Sequence, residues 1–110
     1  MTLAVIDDLI FRSKLDAALG EQIVIVTTIE ALHEQLRQSG WTRVIIDLHL
    51  SSMDSIEAIR VVRSEQPELP VIAYGSHVDV ARRQQAIAAG CHAVLARSEM
   101  VQQMAEWARA

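Results

Sequence analysis

Val44-Ile45-Ile46-Asp47-Leu48-His49-Leu50 is the stretch whose reading decides the fold. Three β-branched residues run into a single carboxylate, which reads as a short strand buried on both faces inside a parallel sheet. Ser51-Ser52 ends the run, so Asp47 belongs at the strand's C-terminal mouth, the edge of an open α/β sheet where ligands gather. A second run of the same kind, Leu3-Ala4-Val5-Ile6, ends in Asp7-Asp8. If the two strands are neighbours, three carboxylates converge on one spot.

Outward from that stretch, strand-type runs alternate with helix-type segments. Phe11, Leu15, Ala18 and Leu19 recur at helical spacing before Gly20, and Ile23 to Val26 is a second strand. Thr27-Thr28-Ile29-Glu30 reads as a capping box for a helix with stripe Ile29, Leu32 and Leu36, closed by Gly40. A third helix starts near Asp54, buries Ile56, Ile59 and Val62, and stops at Pro67. Leu69 to Tyr74 is a strand. Val78 to Ala89 is a helix with a thin apolar face of alanines, Val80 and Ile87, ended by Gly90. Ala93 to Ala96 is the fifth strand, and Ser98 caps a last helix with stripe Met100, Val101, Met104 and Trp107. Trp41 is expected to fill the bottom of the sheet. Five β-α units imply a parallel sheet with helices on both faces, and right-handed crossovers with one reversal give strand order 2-1-3-4-5. Asp7, Asp8 and Asp47 then meet at the switch point.

The chain of 110 residues reads as one domain, 1–110, with room for a real core. Its 51% hydrophobic and 22% charged residues are globular in balance. The net charge of −4 argues against direct nucleic-acid binding. No apolar run approaches the roughly 18 residues of a membrane span, and no signal peptide opens the chain, so the cytoplasm is the expected setting. A single cysteine, Cys91, excludes an internal disulfide and reads as a small buried hydrophobe.

Three acids side by side raise one another's pKa unless a cation joins them. A hard divalent cation such as Mg²⁺ suits oxygen ligands, and a carboxylate beside it can take a phosphoryl group as an aspartyl phosphate. Arg97, after the fifth strand, is the candidate positive side chain. Helix capping competes with metal binding as the role of Asp8.

The chain resembles the receiver domain of two-component response regulators over nearly its whole length. The likeness rests on Asp7-Asp8, on Asp47 to Ser55, on Pro70-Val71-Ile72-Ala73, and on Ala89-Gly90 before the fifth strand. It implies a flavodoxin-like α/β/α fold and a signalling domain, not an enzyme. It implies that Asp47 is the phosphoacceptor, supplied by a sensor histidine kinase or another signalling protein. Asp8, Asp47 and the His49 backbone carbonyl would hold Mg²⁺, with Asp7 helping through water. Homodimerisation through the fourth helix, fifth strand and fifth helix would be open to it.

The departures concern the phosphoryl-sensing half. Receivers carry Thr or Ser after the fourth strand; Gly75 stands here, with Ser76 one place on. They carry Lys-Pro after the fifth strand; here it is Arg97-Ser98. Val94 replaces the aromatic residue of the fifth strand, and Ser51 and Ser55 replace Pro and Gly in the loop after the acceptor. Ser76 is one step further along an extended chain and points to the other side, where it can cap the next helix. Arg97 can hold phosphoryl oxygens, clamp Asp47 through its two-pronged fork, or lie in solvent. His49 and His77 flank the site, and imidazoles there would add charge sensitivity near neutral pH. The expectation is an atypical receiver with an impaired or absent phosphorylation switch; a working phospho-receiver is the alternative. A flavodoxin-like ligand-binding domain lacks its phosphate cradle in the first loop. A phosphatase of the haloacid-dehalogenase type needs Asp-x-Asp, which adjacent Asp7-Asp8 does not supply.

Overall fold

Successive residues of a strand point to opposite sides of the sheet, and in this chain both sides are apolar. A computed structural model describes residues 1–76 and 78–109. Its strands are β1 (Thr2–Val5), β2 (Ile23–Val26), β3 (Arg43–Asp47), β4 (Val71–Gly75) and β5 (Ala93–Ala96). They pair in parallel in the order β2-β1-β3-β4-β5. The helices are α1 (Leu9–Leu19), α2 (Ile29–Leu36), α3 (Ser55–Glu65), α4 (Val80–Ala88) and α5 (Arg97–Arg109).

Strand alternation divides the core. Leu3, Val5, Val44, Ile46, Val71 and Ala73 pack on one side with Leu32 and Leu36 of α2 and Ile59 and Val62 of α3. Ala4, Ile45 and Tyr74 pack on the other with Phe11 and Leu15 of α1 and Met100 and Met104 of α5. Central strands β1 and β3 are buried, and edge strands β2 and β5 are half-buried for most of their length. This is the three-layer α/β/α arrangement expected from the sequence. Among the described residues no helix is long and apolar enough to cross a membrane.

Element ends depart from expectation where side chains choose different partners. The α2 cap is Thr28, which accepts from the Ala31 N–H at 3.1 Å, so the box expected from Thr27 to Glu30 does not form. The helix ends at Leu36, before Gly40, and the Trp41 indole N–H satisfies the Gln35 carbonyl at 2.7 Å. Trp41 is half-buried against the α2–α3 layer. Ser98 does not cap α5, which begins at Arg97; the Glu99 carboxylate instead reaches back to the Ala96 N–H at 2.8 Å. Strand β4 runs from Val71 to Gly75, not from Leu69, because Leu69 N–H is turned to the Gln66 carbonyl. Helix α4 starts at Val80 behind an Asp79 cap and buries only Ala86, leaving Val80 and Ile87 exposed. Cys91 is buried as expected, its thiol donating to the Ala93 carbonyl at 2.9 Å, and burial pushes its pKa up.

Candidate functional site

Parallel strands present all their C-terminal ends at one edge, so the residues following them assemble there whatever their separation in sequence. Asp7 and Asp8 follow β1, Asp47 ends β3, Gly75 ends β4, and Arg97 follows β5. Strands β1 and β3 are neighbours, as the strand order requires. The three carboxylates therefore share the edge, but each is held by different partners.

Asp47 is only 2% exposed, and its Oδ1 accepts from the His49 N–H at 2.8 Å. Asp7 Oδ2 accepts from Ser51 N–H at 2.9 Å, Ser51 Oγ at 3.0 Å and Ser52 N–H at 2.8 Å. Partial burial pushes its pKa up, but the bonds from Ser52 and Ser51 outweigh this and hold it below the ordinary value. Ser51 and Ser52 thus tie Asp7 to the loop after Asp47.

Asp8 does both jobs that its position allows. Its Oδ1 caps α1, accepting from Ile10 N–H at 3.0 Å and Phe11 N–H at 3.2 Å, while Oδ2 pairs with Arg97 at 3.1 Å. The Phe11 N–H lowers its pKa most, and Ile10 and Arg97 add to that against a smaller desolvation effect. Of the roles open to Arg97, the clamp falls on Asp8 and not on Asp47.

The end of β4 carries no side chain at Gly75. The His49 imidazole lies against Gly75: a Cβ there would be 3.1 Å from Nε2 and 3.2 Å from Cδ2. Nε2 also accepts from the Ser76 N–H at 3.3 Å. His49 therefore bridges the loop after β3 to the loop after β4 and is no free loop imidazole. Ser76 Oγ accepts from Val78 N–H at 3.4 Å, which shapes the turn before α4, whereas Asp79 provides the cap. His49, Gly75, Ser76, Ala96, Arg97 and Ser98 line one open cavity of about 470 Å³. His77 lies outside the described residues.

One residue escaped the reading of the sequence. Tyr74 is fully buried, its ring stacked on Phe11 at 4.4 Å between centroids. It pairs in register with Asp47, so both side chains leave adjacent strands on the same side. Among the described residues its buried hydroxyl makes no hydrogen bond of ordinary geometry, and the Asp47 carboxylate is the acceptor that acts on it. Burial and the Asp47 charge push its pKa up, and Arg97 works against them. In the sequence Tyr74 looks like one more apolar strand residue; only the register between β3 and β4 puts it beside the acid.

The donor set is of the chemistry that Mg²⁺ takes: carboxylate and carbonyl oxygens at one edge. Among the described residues, no three acidic, histidine or cysteine side chains are gathered as a ready cage. Asp7 Oδ1 and Asp47 Oδ2 take part in none of the bonds above, but Asp8 Oδ2 is engaged by Arg97. A cation fits these residues if Arg97 yields that oxygen. The pair is solvent-exposed, with 54% of the Arg97 side chain accessible, and ion pairs so exposed are weak.

The sequence matches the response regulator receiver domain family over residues 3–109. No curated protein matches it. Among solved structures it is similar to the receiver domain of NtrX from Brucella abortus, with 19% identity, a TM-score of 0.81, and coverage of 98% of this chain and 97% of that one. It is similar to the receiver domain of a Pseudomonas aeruginosa sensor histidine kinase with a magnesium ion in the active-site cleft: 19% identity, TM-score 0.75, coverage of 99% and 97%. A Burkholderia pseudomallei response regulator with a phosphorylated aspartic acid and a calcium ion gives 19% identity and a TM-score of 0.80. The alignment covers 94% of this chain but 62% of that protein.

Proposed function

The chain belongs to the response regulator receiver domain family, and from that membership we propose a signal-transduction domain in which Asp47 is the phosphoacceptor and the phosphorylation switch is impaired. It acts in the cytoplasm, as a single domain over residues 1–110, through contact with a sensor histidine kinase or another signalling protein. The observation that carries this reading is the His49 ring against Gly75. The place from which a hydroxyl would grip a phosphoryl group, and move with it, is occupied by a side chain from the other strand's loop. Arg97, the substitute for lysine, is engaged on Asp8. The acceptor half keeps its chemistry; the sensing half has lost a donor worth roughly 1.5–3 kcal/mol to a charged partner.

Asp8, Asp47 and the His49 carbonyl are the groups to hold Mg²⁺, with Asp7 assisting through water. Bound there, the cation would offset negative charge on phosphoryl oxygens. The chain's own part is the nucleophile. An Asp47 carboxylate oxygen bonds to phosphorus as the donor's bond to phosphorus breaks, P–N in a phosphohistidine of the kinase or P–O in acetyl phosphate, and the imidazole or acetate leaves with the electron pair. Output then rests on the surface of α4, β5 and α5, where Val80 and Ile87 are exposed; a second copy of the chain binding through this face belongs to the same reading.

Intact mass after incubation with acetyl phosphate and Mg²⁺ tests it, beside an Asp47→Asn control, with amide NMR spectra of the same samples. The expected result is a slow or partial adduct that requires Asp47 and leaves α4, β5 and α5 amides unshifted. Full, Mg²⁺- and Asp47-dependent modification with shifts across those elements would establish a working phospho-receiver instead, with Arg97 and Ser76, which line the same cavity, supplying the missing contacts.

A further inference from the structure

We propose that the Tyr74 hydroxyl is the donor that holds a phosphoryl group on Asp47, reaching it from within the core and replacing the donor lost at Gly75. The inference rests on Asp47 being the acceptor. A buried hydroxyl without a partner is costly and uncommon. Among the described residues the Tyr74 hydroxyl is such a group, and it belongs to a fully buried side chain whose register partner is the nearly buried Asp47. The Arg97 guanidinium is 6.0 Å from the Tyr74 ring centroid and 5.6 Å from that of Phe11, so the phenol lies beneath the Asp8–Arg97 pair and beside the acid. The Asp47 charge reaches the hydroxyl, and Asp8 acts on it more weakly.

The position explains a grip without a switch. A hydroxyl at the end of β4 would draw on the chain that follows it when it closed on a phosphoryl oxygen. Tyr74 is inside β4, stacked on Phe11 at an interplanar angle of 21° and enclosed with Leu15, Met100 and Met104. Side chains packed this way rotate little. A phenol so placed can donate to an oxygen on Asp47 without moving the β4–α4 loop. Retention of the group is thereby separated from its readout.

Tyr74 is the one tyrosine of the chain, so carbon-13-labelled tyrosine gives a single phenol resonance to follow. The probe is beryllofluoride with Mg²⁺, which mimics an acyl phosphate, and its binding is read independently by fluorine NMR. In the wild type, binding should shift the phenol resonance, and Asp47→Asn should abolish both signals. Tyr74→Phe keeps the packing surface and should retain a melting temperature no lower than that of the wild type. It should weaken beryllofluoride by about tenfold or more, the loss expected for one hydrogen bond to a charged partner. Equal affinity in wild type and Tyr74→Phe, or a phenol resonance that ignores bound beryllofluoride, overturns the role of Tyr74 while leaving Asp47 as acceptor. No bound signal in the wild type under saturating Mg²⁺ overturns Asp47 as acceptor and the inference with it.

Discussion

At the scale of single residues, the site is defined by who fills the space left by Gly75. Glycine is needed there for room, not for backbone freedom, since a Cβ would meet His49 Nε2 at 3.1 Å and Leu48 Cβ at 3.2 Å. The His49 ring can swing outward; Leu48 is 1% exposed and cannot. Gly75→Ser should therefore displace the ring, break its bond with Ser76 N–H, and cost about 1–3 kcal/mol as an overpacked site. In a His49→Ala background the penalty should shrink to the Leu48 share. A double-mutant cycle by urea melts measures the difference, and equal penalties in both backgrounds would show that the ring is no obstacle. The sequence names both residues but gives no sign that one sits on the other.

At the scale of elements, helix boundaries follow from caps that are individually small. Gly90 closes the α4 turn with φ of 115°, and a Cβ there would collide with Arg63 Cγ and Cδ. The Arg63 guanidinium is committed to the Pro67 and Leu69 carbonyls, so it has little freedom to move aside. Gly90→Ala is expected to destabilise by about 1–3 kcal/mol, read as a lower melting temperature. A change within error would mean that the turn relaxes. The Gly90 stop was legible, because a glycine after a periodic apolar segment is a helix terminator. The thinness of α4 was legible too, although Val80 and Ile87, which looked like its buried face, point to solvent. Periodicity identifies an apolar side; it does not say whether a neighbour covers it.

For the whole molecule, the acidic edge contributes to the response to pH. Asp7 and Asp8 both have folded-state pKa values below the ordinary 3.8. The unfolded chain then binds more protons near and below that value. Their contribution to stability is fully present above pH 3.8 and is lost as pH falls through the lower folded values. Thermal melts in the presence of a chelator should show the melting temperature falling below pH 3.8. In Asp7→Asn that fall should be shallower, because one linked group is gone. An identical slope would mean that the Ser51 and Ser52 bonds to Asp7 do not persist in solution.

The sequence by itself determined the architecture. Alternating buried strands and capped helices dictate a parallel three-layer sheet, and right-handed crossovers with one reversal of direction give order β2-β1-β3-β4-β5. It also determined which residues stand at the C-terminal edge, because that depends only on where strands end. Tertiary structure alone decided how those residues pair: Arg97 with Asp8, Asp7 with Ser51 and Ser52, His49 with Gly75, Tyr74 with Asp47. The reason is physical. Strand and helix patterns are properties of a local stretch of chain, whereas a side chain's partner depends on the register of neighbouring strands and on which space another residue leaves empty.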